Sequence, residues 1–425
     1  GDFSNETSFY RLTTRYDWKV NSSQKFFTSF ALGKDALFFQ INDQYLDVDS
    51  NNYTLRGEYS IKEKSWHHYF GVDYSLEDYV TKVNLPFYNQ NNGGVQNPFS
   101  IGEDRKATID GTFYELGIYS RHNYRSSESS PWVFTPGLRV ETFSMTERDK
   151  SRLETLLFQP RYAMKYYLND FEFLKLASGI YFQVPEEYQA NTATGNPNLK
   201  PPTANHLSIG WEKDFRKGSS NGFKLSTEIF YKDLNDLVNS SFDLVQRNGS
   251  INFENYANET TGEVFGGEVY LEYKNDAWAI NTAYTISRSN RTQNSKTILS
   301  QFDQTHNLNI VTSYKYKRWT FSTRFRFVTG SLYTPIVGSV FDSDNDVYIP
   351  VRGNYFSERN KDFIQLDVRV DHKWIFKNWI LSAYLDVQNA TNRQNVEGLD
   401  YNYDYTDSEV DSVPIIPTFG LKGEF

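Results

Sequence analysis

Residues 319–327 read WTFSTRFRF. In an extended chain Trp319, Phe321, Thr323, Phe325 and Phe327 share one face, and Thr320, Ser322, Arg324 and Arg326 share the other. Strict period-two alternation is the mark of a β-strand with two unlike faces. The texture recurs in IQLDVRVD, where Ile364, Leu366, Val368 and Val370 oppose Gln365, Asp367, Arg369 and Asp371. WILSAYLDV, starting at Trp379, repeats it. An aromatic face backed by charge has two homes. It lines the dry core of a soluble sandwich, or it meets lipid on a barrel whose interior is wet.

The connections decide between them. Alternation and turn signals predict about seventeen strands, from 8–18 to 415–425, with 25–39, 53–61, 132–145 and 155–168 among them. The links between strands alternate short and long. The short ones include KVNSSQ, IKEK, RSSESSP, LND, RKGSSN, KNDA, KR and FKN; the long ones include 80–107, 184–203, 239–261, 292–303, 331–361 and 392–414. A sandwich has no reason to sort its loops by parity, whereas an up-and-down outer-membrane barrel has tight periplasmic turns and long outer loops. The expected fold is therefore all-β, an antiparallel up-and-down transmembrane β-barrel occupying residues 1–425 as one domain. Phe321 and Phe325 then face lipid, and Arg324 and Arg326 face the lumen. The last strand, PTFGLKGEF, carries Phe419 and ends on the aromatic Phe425, which resembles the signal read by the outer-membrane barrel assembly machinery.

Composition is compatible with this. The chain has 425 residues, no cysteine, 17% aromatics and a net charge of −9. No shift in composition marks a linker, and no run of about 18 apolar residues offers a transmembrane helix. That leaves barrels open, because each strand needs only about ten alternating residues. The acidic balance and the scattered Lys and Arg exclude a nucleic-acid partner. GDFSNETSFYRL lacks the basic start and apolar stretch of a signal peptide; either a leader has been removed or the chain starts inside a longer product. The final strand ends in the periplasm, so an odd strand count points to a missing N-terminal portion.

Six segments resemble, in order, the C-terminal part of TonB-dependent outer-membrane receptors. They are GIYFQVPEEYQANTATGNPNLKPPTANHLSIGWEKDF, LSTEIFYKDLNDLV, VFGGEVYLEYK, FDQTHNLNIVTSYKYKRWTFSTRFRFVTGSLYTP, LDVQNATNRQNV and PIIPTFGLKGEF. The resemblance covers roughly residues 160–425. It implies a barrel of about 22 strands, of which this chain holds about the last seventeen. It also implies a plug domain and a TonB-binding segment that are not in this chain. Outer-membrane lipids and the TonB complex, reached through that plug, are the partners it implies, with a surface lipoprotein as a further one. No cofactor is implied.

Candidate sites follow from residue type. The 331–361 loop offers Tyr333, Tyr348, Arg352, Tyr355, Phe356 and Arg359, a set that supplies contact area and directed hydrogen bonds. In the wall, Arg324, Arg326 and Arg369 are expected to pair across strands with acids such as Asp367 and Asp371, or with carboxylates of the plug, or to draw an anionic ligand inward. Pro201 and Pro202 either stiffen a loop exit or touch ligand. Asp342, Asp344 and Asp346 imitate the opening of a calcium loop, but Val347 and Gly353 stand where glycine and glutamate are needed, so no metal site is expected. Asp400, Asp404, Asp407 and Asp411 interleave with Tyr401, Tyr403 and Tyr405, either as a polar extracellular loop or as a loose contact for a cation or glycan. Adjacent His67 and His68 point to opposite faces and cannot share an ion. No nucleophile with a base, carboxylate pair or phosphate-cradling glycine loop stands out, so catalysis is not expected. The resemblance implies import of an extracellular solute, such as an iron chelate, cobalamin, an oligosaccharide or a peptide. The alternative is a receptor-derived barrel serving as a scaffold for surface lipoproteins or assembly factors.

Overall fold

The computed structural model describes residues 3–41, 43–86, 104–147, 150–190, 195–240, 244–247, 250–253, 256–343, 347–396, 398–406 and 408–424. Seventeen long strands follow one another: β1 Phe3–Lys19, β2 Gln24–Ile41, β3 Gln44–Lys62, β4 Trp66–Pro86, β5 Asp104–Tyr124, β6 Trp132–Glu147, β7 Lys150–Asn169, β8 Glu172–Phe182 and β9 Thr203–Asp214. They continue with β10 Gly222–Ser240, β11 Tyr256–Lys274, β12 Trp278–Gln293, β13 His306–Tyr316, β14 Trp319–Val328, β15 Phe363–Ile375, β16 Ile380–Gln388 and β17 Ile416–Glu424. Together with the short strand Lys296–Leu299, which folds back on β12, they form one 18-stranded sheet. Wherever a register is defined, chain neighbours pair antiparallel. The expected strands thus map one to one onto the wall.

Two expected long links are absent. β2 runs on to Ile41 and β3 begins at Gln44, so the connection expected over 40–52 is mostly strand. β6 likewise reaches Glu147 and β7 begins at Lys150. The reason lies in the faces. The paired rungs Tyr53–Leu76–Tyr114 and Leu55–Tyr74–Leu116 put apolar residues on one face, and Arg56–Asp73 and Glu58–Gly71–Tyr119 put polar ones on the other. Above the rung Asn52–Glu77–Phe113 the faces exchange character. Asn51–Asp78–Thr112 and Asp47–Lys82–Thr108 now follow the tyrosines and leucines. Val48–Thr81–Ile109 and Leu46–Val83 follow the charges. Alternation continues with inverted polarity, which looks like a strand end if one searches for a constant apolar face.

The inversion marks where lipid stops. On β4 the apolar face runs from Trp66 to Leu76, about 33 Å along the strand, or about 24 Å across a strand tilted by ~45°, which matches the apolar band of outer-membrane barrels. Phe70, Val72, Tyr74 and Ile118 of this band are exposed, as a lipid-facing surface must be when lipid is removed.

The described residues divide into two compact units. The first comprises Gly1–Lys165, Ala177–Leu207 and Asp233–Thr261; the second comprises Tyr166–Leu176, Ser208–Lys232 and Gly262–Phe425. In the first, the inner face above the inversion carries a dry core. Phe143, Met145 and Leu157 of the wall are covered by Ala190 and Leu199 of the 184–203 loop, with Phe113, Phe182 and Val238 beside them. Phe143 and Ala190 are fully buried. In the second unit the strands β13–β17 are 9 to 13 residues long. There the loops build hairpins of their own, Ile336–Asp342 with Val347–Arg352 and Gly398–Tyr401 with Ser408–Asp411.

Candidate functional site

The wall comes first. Register places Arg324 opposite Asp367 and Arg326 opposite Gln365, while Phe325 faces Leu366 and Phe321 faces Val370. Charged and apolar faces therefore align from strand to strand. Arg324 Nε donates to Asp367 Oδ2 at 2.7 Å, the expected cross-strand pair. Arg369 pairs in both directions: it grips Asp371 two residues along its own strand, at 2.7 and 2.9 Å, reaches Asp386 across to β16 at 3.7 Å, and lies over the Tyr384 ring. Same-face residues at i and i+2 are close enough for a planar fork, so the pair closes locally. Arg326 has no carboxylate opposite it and sits over the Phe363 ring at 5.0 Å.

In the first unit the equivalent network centres on Arg139. Its guanidinium reaches Asp73 at 2.7 Å, Glu115 at 3.4 Å and Glu141 at close range. It lies flat across Gly117, where a β-carbon would collide with it. Glycine is needed there for close approach rather than for a turn. One guanidinium thus links carboxylates of β4, β5 and β6, so it holds the wall together.

The residues that carry the family resemblance turn out to fasten loops. Asn196 of NPNLKPP donates to Tyr256 O at 2.8 Å and accepts from the Asn198 amide. Asn258 clamps the same stretch, exchanging hydrogen bonds with Lys200 N and O and donating to Asp236 O. The Gln183 amide donates to Pro202 O, so the prolines stiffen a fixed loop exit. Asp303 of FDQTH is fully buried and accepts from Ser289 N, the Thr305 hydroxyl and Arg359 Nη2. Asn389 and Asn395 tie β16 and its following loop to Arg393, Val413 and Ile364. A buried polar side chain is stable only when its bonds are made. Alongside local bonds, Asn196, Asn258, Asp303, Asn389 and Asn395 each make at least one across 24 or more residues, so each fixes a loop root.

At the long-loop end of the second unit lies a cavity of about 490 Å³. Of the six residues expected from the 331–361 loop, it takes Tyr333 and Arg359. Tyr348 instead packs on Phe341 and Tyr403. Arg352 stands exposed on the hairpin opposite Ile336, and Tyr355 is half-buried; neither lines the cavity. Phe356 takes a left-handed φ of 47° and donates its amide to Thr334 Oγ1. Arg359 is both wall and brace, because its Nη1 donates to Asp303 O and Gly330 O while its Nη2 holds the Asp303 carboxylate. Sequence reasoning missed Lys361 and Thr406, which join the lining, and it set Tyr401 and Tyr405, which line it too, apart from the 331–361 candidates. Tyr401 and Tyr405 sit in the 392–414 loop, read as a polar loop or a loose cation or glycan contact; only contacts between loops bring them to this cavity. Ser339 Oγ donates to Asp404 O at 2.6 Å and Tyr348 meets Tyr403, so the two loops form one body. The Thr406 hydroxyl and amide hold the Asp404 carboxyl below its ordinary range.

Asp344, Asp346, Asp407 and Phe425 lie outside the described residues, as do the side chains of Asp400 and Asp411. Phe419 is exposed on the outer face, paired with Leu385. His68 and His67 point to opposite faces. His68 meets His122 at 2.8 Å among Trp66 and Phe70, and His67 meets the Tyr69 hydroxyl at 2.9 Å. That aromatic group belongs to a pattern legible in the sequence but unread there. All eight tryptophans, Trp18, Trp66, Trp132, Trp211, Trp278, Trp319, Trp374 and Trp379, lie in or within four residues of a short turn. Tryptophan concentrates at membrane–water interfaces, where its ring meets both phases.

An antiparallel sheet with an apolar outer band, a charged inner face, tryptophans at the short turns and long structured loops defines a transmembrane β-barrel of the outer membrane. The model of the family described as "TonB dependent receptor-like, beta-barrel" matches residues 1–390, and the chain belongs to that family. It is a family of outer-membrane transporters rather than enzymes. No curated protein matches the sequence. Among solved structures the chain is similar to the pyoverdine outer membrane receptor FpvA from Pseudomonas aeruginosa PAO1, with 14% identity, a TM-score of 0.73, and coverage of 100% of this chain and 62% of that one. It is similar to the FrpB iron transporter from Neisseria meningitidis, with 14% identity, a TM-score of 0.70 and coverage of 99% and 63%. It is also similar to the ferric-catecholate import receptor Fiu from K12 E. coli, with 12% identity, a TM-score of 0.64 and coverage of 99% and 64%. At these identities the likeness shows the fold. The chain spans less than two thirds of each of these structures.

Proposed function

We propose that this chain is the barrel wall and outer loops of a receptor that captures a scarce extracellular solute and imports it with TonB-derived energy. In this reading the long loops are extracellular, the short turns and the C-terminus are periplasmic, and the TonB complex acts through a plug domain outside this sequence. The observation that carries it is family membership joined to a small-molecule-sized cavity built by two mutually braced loops at the long-loop end. The similar structures include receptors named for pyoverdine, iron and ferric catecholate, which favours a metal chelate over cobalamin, an oligosaccharide or a peptide.

The test is accumulation of radiolabelled ferric chelates by cells of the source bacterium, with and without the gene for the whole receptor and with and without a protonophore. Uptake should fall to background in both the deletion and the de-energised cells. Equal accumulation in deleted and intact cells, for chelates and for the other three solute classes, would sink the transport reading.

A further inference from the structure

The inner face of the first unit holds a second cavity, of about 340 Å³, and all of its lining residues are described. Four arginines reach it: Arg56, Arg121, Arg139 and Arg161. Two of them are spoken for. Arg139 holds Asp73, Glu115 and Glu141, and Arg56 lies 3.4 Å from Asp73. The other acid of the lining, Glu58, accepts from the Tyr119 hydroxyl at 2.8 Å. Arg121 and Arg161 are exposed and form no ion pair among the described residues. Arg121 lies over the Tyr69 ring at 4.1 Å without a hydrogen bond to any described residue. Arg161 lies over the Tyr181 ring at 4.6 Å and donates once, to the Gln159 amide oxygen. The acids of β5 and β7 whose side chains lie outside the described residues, Asp104 and Glu154, are seventeen and seven residues away along those strands, toward the long loops. A guanidinium carries five N–H donors, so nearly all the donors of this pair are left to water.

A plug filling the barrel displaces that water. A guanidinium covered without an acceptor is costly to bury, and a carboxylate answers it best, by its charge and by two oxygens that match the planar fork. The similar receptors run well beyond this chain in length, which covers 62% of the FpvA structure and 63% of the FrpB structure. We propose that this cavity holds the plug in place: carboxylate side chains on the plug surface seat in it and pair with Arg121 and Arg161. This rests on the reading of the chain as the barrel of a plugged receptor, and the test separates the two.

The full-length receptor is inserted in planar lipid bilayers, where current through the pore reports release of the plug along a urea ramp. At a fixed urea concentration below the parent's threshold, Arg121→Gln with Arg161→Gln should raise the open fraction about tenfold or more, because a covered carboxylate loses its partner. Arg121→Lys with Arg161→Lys keeps the charge and loses the fork, and should fall between the two. Heat-modifiable migration in detergent checks that the barrel wall is intact in each variant. A closed parent whose opening is unmoved by the Gln substitutions overturns the inference and leaves the plugged-receptor reading standing. So does a Lys variant as open as the Gln variant, which would show lost packing rather than lost charge. Opening of the parent that depends on added inorganic phosphate, a dependence absent from the Gln variant, assigns the cavity to a small anion and overturns the plug contact. A parent that conducts freely without urea has no plug in its lumen, and both readings fall. If the double substitution does not assemble, Arg161→Gln alone should shift the opening in the same direction.

Discussion

β2–β5 and β13–β17 solve the same problem, carrying a wall out of the membrane, in different ways. The first group extends its strands to 18–21 residues and inverts their polarity at the rung Asn52–Glu77–Phe113, so that the wall above becomes an ordinary sheet with its apolar face inward. Further along the same unit, β6 and β7 with the 184–203 loop close a dry core around Phe143 on that side. The second group has strands of only 9 to 13 residues and hands over to hairpins in its loops, which border a cavity lined by tyrosines and two cations. Extended strands make a rigid, dry rim; short strands with long loops make a recess. The lesson is that solvent, lipid and core are assigned rung by rung, and a strand does not own one environment.

The comparison can be broken most directly at its core. Phe143→Ala should cost about 3–5 kcal/mol, because the site is fully buried and ringed by wall residues that cannot collapse into the void. Denaturant unfolding of the purified receptor measures this, and a loss below 1 kcal/mol would mean the rim is not a dry core. The inversion itself is tested on one face of one strand. Val72→Arg lies in the middle of the lipid band and should cost about 2–4 kcal/mol, whereas Val80→Arg, eight residues on beside Asp49 and Asp110, should be nearly neutral. Equal costs in a refolding titration into lipid would place the boundary elsewhere.

On the recess side, Asp303→Ala removes the acceptor that holds Arg359, Ser289 N and Thr305. We expect a loss of about 1–3 kcal/mol. It should be confined to the loops: protease cleavage within 331–361 should rise while amide exchange in β13–β15 is unchanged. The smallest effect concerns acid. Asp404 is held below its ordinary range by Thr406, so its contribution is complete above about pH 4 and is lost as the pH falls through its lowered folded-state value. Loop protection in Asp404→Asn should therefore be the same at low and neutral pH, and the parent should approach it only on acidification.

Much of the wall was readable because alternation is a relation between neighbours. Trp319 to Phe327 announces its two faces without help from any other strand, and seventeen such stretches gave the strand count. Where the reading slipped over 40–52, Leu46, Asp47, Val48 and Asp49 still alternate; what changes is the environment of each face, and that depends on distance from the membrane centre. The stretch 146–154 is polar but for Leu153 and offers no apolar face to read. Arg369 does reach an acid across strands, Asp386, but its shorter contacts are a local fork with Asp371 that strand alternation alone does not single out. In the loops, residue type suggested six contributors, and two line the cavity. Tyr348 and Tyr403 were spent on joining the loops, while Lys361, lying beside the brace, had nothing in its neighbours to single it out.

From the amino acids alone came the antiparallel wall, the face each strand presents and the order of family motifs, since these follow from spacings of two residues and from short stretches of chain. The level at which lipid gives way to a core, and the membership of the cavity, came only from tertiary structure. They rest on contacts such as Arg359 with Asp303 and Ser339 with Asp404, 56 and 65 residues apart. No local pattern encodes which of many tyrosines and lysines such contacts will bring together.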